Sequence, residues 1–411
     1  MRLPLPFLLA LAAGGAVLSA QEGEPRTAVE WNEAGARALQ EGRVPEAVEA
    51  FRRARALAPG DPVLRLNLAR ALGHRARELA AAGRLEEALR SVREGRALDR
   101  DGGSLEVLEA RFHLRLGDRA RAREVLDAVL REFPEQPEAL ALRAEVASLD
   151  GDPAAGVAFL ERAVAVRPGD TALQQRLERL REEARALAGF LTDATAHFDL
   201  RYDPHLPWIV ERIPRLGALL EEAFQAVHRS LGFAPEDRIV VLVLDRERYA
   251  GDAPEWSGGL YDGRIRLPQS REVFDEAELA SALRHETTHA ALHRIGPAVP
   301  AWLHEGLAQA VEGRSVTTAR RLLRRDPGAW PSLGELRGGW TAWTDRRRVE
   351  AAYAYALSLA WFLQEEYGAN AWSLLLGQLR RRGFDEAFPA TFAASLEAVD
   401  VRHRQALAAG D

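Results

Sequence analysis

The stretch Gly117-Asp118-Arg119-Ala120-Arg121-Ala122-Arg123-Glu124-Val125-Leu126-Asp127-Ala128-Val129-Leu130-Arg131-Glu132-Phe133-Pro134 decides the fold of the N-terminal half. Counted from Gly117, small or apolar residues fall at +5, +9 and +12 (Ala122, Leu126, Val129), and a proline falls at +17 (Pro134). The same register recurs on either side. From Gly42 it gives Ala47, Phe51, Ala54 and Pro59, and from Gly151 it gives Gly156, Leu160, Ala163 and Pro168. From Gly83 it gives Ala88, Val92 and Gly95, with Arg100 in place of the proline. Successive glycines lie 41, 34 and 34 residues apart.

Positions +5, +9 and +12 share one face of a helix. A glycine before them ends the preceding helix, and a proline after them stops the next. Each period therefore predicts a helix–turn–helix unit. The seven extra residues before Gly83 amount to about two helical turns, which predicts a lengthened first helix over Asp61 to Ala82. Thr171 to Gly189, with Leu173, Leu177, Leu180 and Leu187, is expected to be a terminal helix covering the last unit. A 34-residue period of this pattern resembles the tetratricopeptide repeat. The resemblance implies an α-solenoid over residues 28–190, with a concave face that holds a protein partner or a peptide.

Composition narrows the chemistry. The chain has 411 residues, 47% hydrophobic and 28% charged, with a formal net charge of −6. This excludes a basic platform for nucleic acid. There is no cysteine, so disulfides, thiolate nucleophiles and cysteine-ligated zinc are excluded. There is also no lysine, since all 55 basic residues are arginine. P-loop phosphate binding and Schiff-base chemistry are thereby excluded. His, Asp/Glu, Ser/Thr and Tyr remain.

The N-terminus reads Met1-Arg2, an apolar run from Leu5 to Leu18, then Ser19-Ala20 before the polar Gln21-Glu22. A basic start, a short apolar core and small residues at its end predict a secretory signal peptide over residues 1–20, and hence an exported protein, periplasmic or extracellular. No later segment reaches the roughly 18 consecutive apolar residues of a membrane span.

After Phe190 the pattern changes, defining a second region over residues 191–411. His197 to Tyr202 alternates as a strand does. A helix broken or begun at Pro207 and Pro214 is expected over Leu206–Leu231, and Arg238–Asp245 reads as a buried strand. Asp262-Gly263 between short alternating runs signals a hairpin. From Asp275 onward the chain reads as helical. The overall expectation is an α+β protein, mostly helical.

Within that helical part stands His285-Glu286-Thr287-Thr288-His289. Residues i and i+4 lie on one helix face, so the two imidazoles converge on one ion, while Glu286 projects about 100° away. Asp275 with Glu278 reads as a capping box at the start of this helix, and Gly296-Pro297 as its end. A second helix, Pro300 to Glu312, begins Pro300-Ala301-Trp302-Leu303-His304-Glu305-Gly306-Leu307-Ala308. A catalytic zinc takes three protein ligands and keeps one position open, which makes Glu305 the expected third ligand. Gly306 is expected to let these two helices approach closely. His293 lies a further turn along and is expected to be too distant for the same ion. His304 is expected to point elsewhere.

His285-Glu286-Thr287-Thr288-His289, followed sixteen residues on by the Glu305 of Trp302-Leu303-His304-Glu305-Gly306-Leu307-Ala308, resembles the gluzincin metallopeptidases. It is closest to the peptidase MA-like domain often joined to tetratricopeptide repeats. The resemblance covers roughly residues 195–410. It implies a zincin-like α+β domain, a Zn2+ ion held by His285, His289 and Glu305, and Glu286 as general base activating water toward a peptide bond. It further implies Tyr353 as the donor to the developing oxyanion, with Tyr355 and His304 as alternatives, and the strand Arg264–Leu267 as an edge for an extended substrate. Gln309 departs from relatives that carry an acidic residue there to orient a ligand. Two other readings stand beside the peptidase: a non-catalytic repeat adaptor with a structural or vestigial zinc site, and a zinc hydrolase acting on a non-protein substrate such as peptidoglycan peptides.

Overall fold

A computed structural model describes residues 26–98, 101–235, 237–247, 260–271, 275–296, 298–338, 340 and 343–410. The expected leader lies outside these residues. The chain divides into two compact units, Met1–Leu68 and Ala69–Asp411, with the boundary inside one long helix.

The first unit holds α1 (Ala28–Gln40), α2 (Val44–Leu57) and the start of α3 (Pro62–Ala81). Thr27 and Glu30 form a reciprocal capping box at α1. A side chain on Gly35 would come within 2.8 Å of the Phe51 ring, so the glycine lets the two helices close on that aromatic.

The second unit continues with α4 (Leu85–Leu98), α5 (Ser104–Arg115), α6 (Arg119–Glu132), α7 (Pro137–Leu149), α8 (Pro153–Val166) and α9 (Thr171–Ala186). The helix–turn–helix reading holds at every register. Gly42, Gly83, Gly117 and Gly151 all have positive φ, between 70° and 79°, a conformation that costs other residues roughly 1–2 kcal/mol. In each turn the following amide reaches back across the helix end: Arg43 to Ala38, Arg84 to Leu79, Asp118 to His113 and Asp152 to Ala147, each at 2.8 Å. This is the Schellman arrangement, and it satisfies carbonyls that the helix leaves unpaired. Ala122, Leu126 and Val129 are fully buried, as the spacing requires. Helix α3, at 20 residues, accounts for the long interval before Gly83. Helix α9 buries Leu173, Leu177 and Leu180 against α7 and α8.

A five-stranded sheet follows, built from β1 (Leu191–Ala194), β2 (Phe198–Tyr202), β3 (Ile239–Asp245), β4 (Leu260–Tyr261) and β5 (Ile265–Gln269) in the order β1-β2-β3-β5-β4. The β2–β3 and β3–β5 pairs are parallel, and the edge strands β1 and β4 are antiparallel. A parallel pair needs a crossover, which α10 (Pro207–Val210) and α11 (Ile213–Leu231) provide between β2 and β3. The near-continuous apolar run of β3 is explained by cover on both faces. Val241 and Val243 pack in the cluster that contains α11, and Val240, Leu242 and Leu244 meet Leu187 and Phe190 just past α9. The Asp262-Gly263 hairpin forms, with Gly263 at φ 100°.

The remaining elements are helices: α12 (Glu276–His293), α13 (Ala301–Glu312), α14 (Val316–Arg325), α15 (Leu333–Arg337), α16 (Arg346–Tyr367), α17 (Ala371–Leu379), α18 (Phe384–Phe392) and α19 (Leu396–Ala409). The protein is thus mostly helical with a small mixed sheet. Among the described residues no helix is long and apolar enough to cross a membrane.

Within this second unit the end of α7 is gripped by arginines from other elements. The carbonyls of Ser148, Leu149, Asp150 and Gly151 accept in turn from Arg264 (3.0 Å), Arg119 (2.5 Å) and Arg201 (3.0 Å to Asp150, and also Gly151). Arg119 also donates to the Arg238 carbonyl at 2.8 Å, and Arg264, 4% exposed, pairs with Glu183 of α9 at 2.5 Å. Cationic side chains at a helix C-terminus satisfy its free carbonyls and oppose its dipole. The later repeats are therefore bound firmly to the sheet. Arg320 is largely buried and paired with Glu365 at 2.5 Å.

Candidate metal centre

Helix α12 begins at Asp275, whose carboxylate accepts from the Ala277 and Glu278 amides, forming the Asp275 half of the expected box. Leu283, Ala290 and Ala291 bury its apolar face. His285 and His289 share a face because of their four-residue spacing. Helix α13 ends at Gly313 in the left-handed conformation (φ 97°) and carries Glu305 to the same place.

The three expected side chains meet. His285 and His289 bring their Nε2 atoms to 3.1 Å. Glu305 places one carboxylate oxygen 3.8 Å from His285 Nε2 and the other 3.6 Å from His289 Nε2. One donor atom from each of His285, His289 and Glu305 lies within 4.8 Å of the others. Two imidazole nitrogens and a carboxylate oxygen this close together could hold a divalent cation.

Gly306 has a different role from the one its position suggested. A Cβ there would run into the Ala356 carbonyl oxygen and approach Ala360 Cβ at 3.0 Å, both on α16. The glycine brings α13 against α16, not against α12. Glu305 is thus pressed toward the histidines from behind by the long helix.

Burial sets the protonation states. The Glu286 carboxyl is 7% exposed, and burial pushes it up to about 7, with His285 opposing and the charges of Glu305 and Glu312 adding. Burial also raises Glu305 and drives His289 well below the usual histidine range. His285 runs the other way. Burial pulls it down, but the hydrogen bond to Glu312 and the charges of Glu305, Glu286 and Glu312 outweigh that effect and raise it.

Glu312 is the residue that sequence reasoning missed. Its carboxylate lies 3.1 Å from His285 Nδ1, is 9% exposed, and pairs with Arg314 at 3.1 Å. A carboxylate on Nδ1 fixes the tautomer that leaves Nε2 free for a cation. The signal was present: Glu312 stands seven residues, two helical turns, after Glu305 and so on the same face. Gln309, the expected place for such a residue, instead donates to the carbonyls of Glu305 (3.2 Å) and Tyr353 (3.0 Å).

His304 does not point away from the site. Its ring stacks on His289 with centroids 5.7 Å apart and the two Nδ1 atoms 3.5 Å apart, and burial pushes it down to about 4. His293 stays outside the group and lies edge-on to Tyr261, with centroids 5.5 Å apart. Tyr353 is half-buried, packs edge-on against Trp340, and feels the charges of Glu305 and Glu286, which add to burial in raising its phenol. Tyr355 is not at the site. It is fully buried and donates to Asp400 on α19, because two residues along a helix turn a side chain by about 200°. Strand β5 has a partly open outer edge: β4 pairs with it only at Ile265 and Arg266 among the described residues.

A family profile described as tetratricopeptide repeat matches residues 79–146. The chain carries tetratricopeptide repeats. Solved structures similar to it include MamA residues 41-end from Desulfovibrio magneticus RS-1, at 19% identity, covering 38% of this chain and 87% of that one, TM-score 0.31. Another is a thermophilic TPR protein in Thermus thermophilus, at 20% identity, covering 38% of this chain and all of that one, TM-score 0.24. No curated protein matches the sequence. Tetratricopeptide repeats point to a protein-interaction scaffold.

Proposed function

We propose that this protein is an exported zinc-dependent peptidase of the gluzincin, peptidase MA-like type, in which the repeats receive a peptide or protein and the helical part hydrolyses it. The observation that carries this reading is the convergence of His285, His289 and Glu305 within 4.8 Å beside a buried Glu286. The donor set fits zinc: two imidazoles, one carboxylate, and a Glu312 carboxylate behind His285. His285, His289 and Glu305 would hold the ion. Bound there, it would supply Lewis-acid polarisation and lower the pKa of water from 15.7 to about 7.

The chain's own residues supply the rest. Glu286, whose carboxyl burial places at about 7, is matched to take and return a proton near neutral pH. Tyr353 keeps its phenol proton and is the proposed donor to an oxyanion. Helix α16 presents Tyr353 and also backs Gly306, so the donor and the third ligand share one support. Export rests on the sequence of residues 1–20 alone.

The test is metal content and peptide hydrolysis by wild type, His289→Ala, Glu305→Ala and Glu286→Gln. The proposal expects one zinc per chain in wild type and in Glu286→Gln, none in the other two, and hydrolysis in wild type alone. Zinc without hydrolysis across a peptide library would favour the scaffold reading that the repeats support.

A further inference from the structure

A cavity of about 480 Å³ lies between the inner helices of the later repeats and the C-terminal part, within the size range of ligand sites. Helices α5, α7 and α9 form one wall, and the Asp262-Gly263 turn and His293 form the other. Its middle is apolar, with Leu114, Leu142, Leu149 and Leu173 on the lining.

The lining carries four arginines and four carboxylates, but all four carboxylates are engaged away from Arg111 and Arg115. Glu138 is taken by Arg167 at 2.6 Å and Glu145 by Arg176 at 3.3 Å. Asp262 is taken by Arg266 at 2.7 Å, and the Asp170 carboxylate caps α9. Two cations remain, Arg111 and Arg115, four residues apart and so on one face of α5. Arg111 makes no hydrogen bond or ion pair among the described residues. Arg115 donates to the Ala80 carbonyl at 2.9 Å and has no carboxylate partner among the described residues. Burial lowers the Arg115 guanidinium, as expected for a cation partly stripped of water with no counter-ion.

We propose that this cavity binds an extended peptide segment carrying a carboxylate, with Arg111 and Arg115 holding the anion and the leucine floor taking a neighbouring apolar side chain. The inference deepens the peptidase reading by naming the class of peptide, and it places binding at the C-terminal end of α12, where His293 lines the cavity one turn beyond His289. Anionic peptides fit where nucleic acid does not. The floor is leucine, and the two guanidinium groups stand on a chain of net negative charge.

The experiment uses full-length Glu286→Gln and two fluorescein-labelled decapeptides, one alternating Leu and Glu, the other alternating Leu and Gln, followed by anisotropy. The Leu/Glu peptide is expected to bind about tenfold tighter or more, and to lose that advantage in 0.5 M salt. Arg111→Glu and Arg115→Glu are expected to remove it, Arg111→Glu while leaving the thermal melt and zinc content unchanged, and Arg115→Glu with a lower melt because its bond to the Ala80 carbonyl is lost. Since Arg111 is exposed, its variant keeps the fold, and Arg111→Gln gives an intermediate loss. Equal affinity for the two peptides, or unchanged binding by Arg111→Glu, would overturn the proposal. Binding that follows this pattern while wild type fails to cleave either peptide would remove the peptidase reading and leave the binding site standing.

Discussion

The repeats and the histidine cluster bury side chains for opposite reasons. In the repeats, Ala122, Leu126 and Val129 leave water together and gain from it, and the turns at Gly42, Gly83, Gly117 and Gly151 each return an amide to a helix-end carbonyl. Around His285 stand the buried Glu286 and the half-buried Glu305, His289 and His304, whose charged forms are disfavoured by loss of water. The like charges of Glu305 and Glu312 raise Glu286 further. Nothing in folding alone calls for such an assembly. The proposed cation would neutralise the carboxylates and offset the cost of the assembly, which is how the peptidase reading accounts for the difference between the two regions.

That contrast can be broken most directly by removing a donor. His289→Ala and Glu305→Ala are expected to abolish stoichiometric zinc in metal analysis, whereas Leu126→Ala should leave zinc intact and cost about 2–5 kcal/mol in denaturant unfolding. Metal loss in Leu126→Ala with a folded chain would show that the two regions are not separable. Next in size, Glu286→Gln should lower peptide hydrolysis roughly 10²–10⁴-fold with zinc retained; undiminished turnover would remove Glu286 as the base. Glu312→Gln should weaken zinc roughly 10–100-fold in chelator competition, and Gln309→Ala should not. The reverse ranking would return the orienting role to residue 309.

Gly306→Ala sharpens the comparison from the packing side. Its Cβ meets the Ala356 carbonyl, and overpacking of this kind costs about 1–3 kcal/mol. The melt should fall and zinc affinity with it, since α13 must back away from α16. The last expected effect concerns pH and is confined to acid solution. Burial holds His403 down to about 3, so it stays neutral in the folded chain while the unfolded chain protonates it below about 6.5. Its contribution is therefore complete above that pH and drains away on acidification toward about 3, at up to about 1.4 kcal/mol per pH unit. His403→Gln should flatten the acid side of the stability profile. An unchanged slope would mean that His403 is not the buried group responsible.

Much of this architecture was legible because its causes are local. The glycine positions follow from a positive φ that only the turn demands, and α3 could be lengthened on paper because helix length is simply counted. The His285, His289 and Glu305 convergence followed from helical spacing and the needs of one ion. What stayed hidden depended on contacts remote in sequence. Strand β1 is exposed at all four residues and so lacks an apolar alternation to read. The neighbour of Gly306 proved to be α16, some fifty residues away. Tyr355 was attractive as a tyrosine near Tyr353, yet Asp400 claims it from α19. The division of the chain inside α3 likewise left no mark on the repeat pattern.

The grip on α7 has a consequence for how this chain can change over time. Four successive main-chain oxygens, from Ser148 to Gly151, are what the arginines hold. A clasp that recognises backbone places few demands on the side chains at its centre. Residues at that corner are free to drift so long as the bend itself survives, while the three arginines that read it are not.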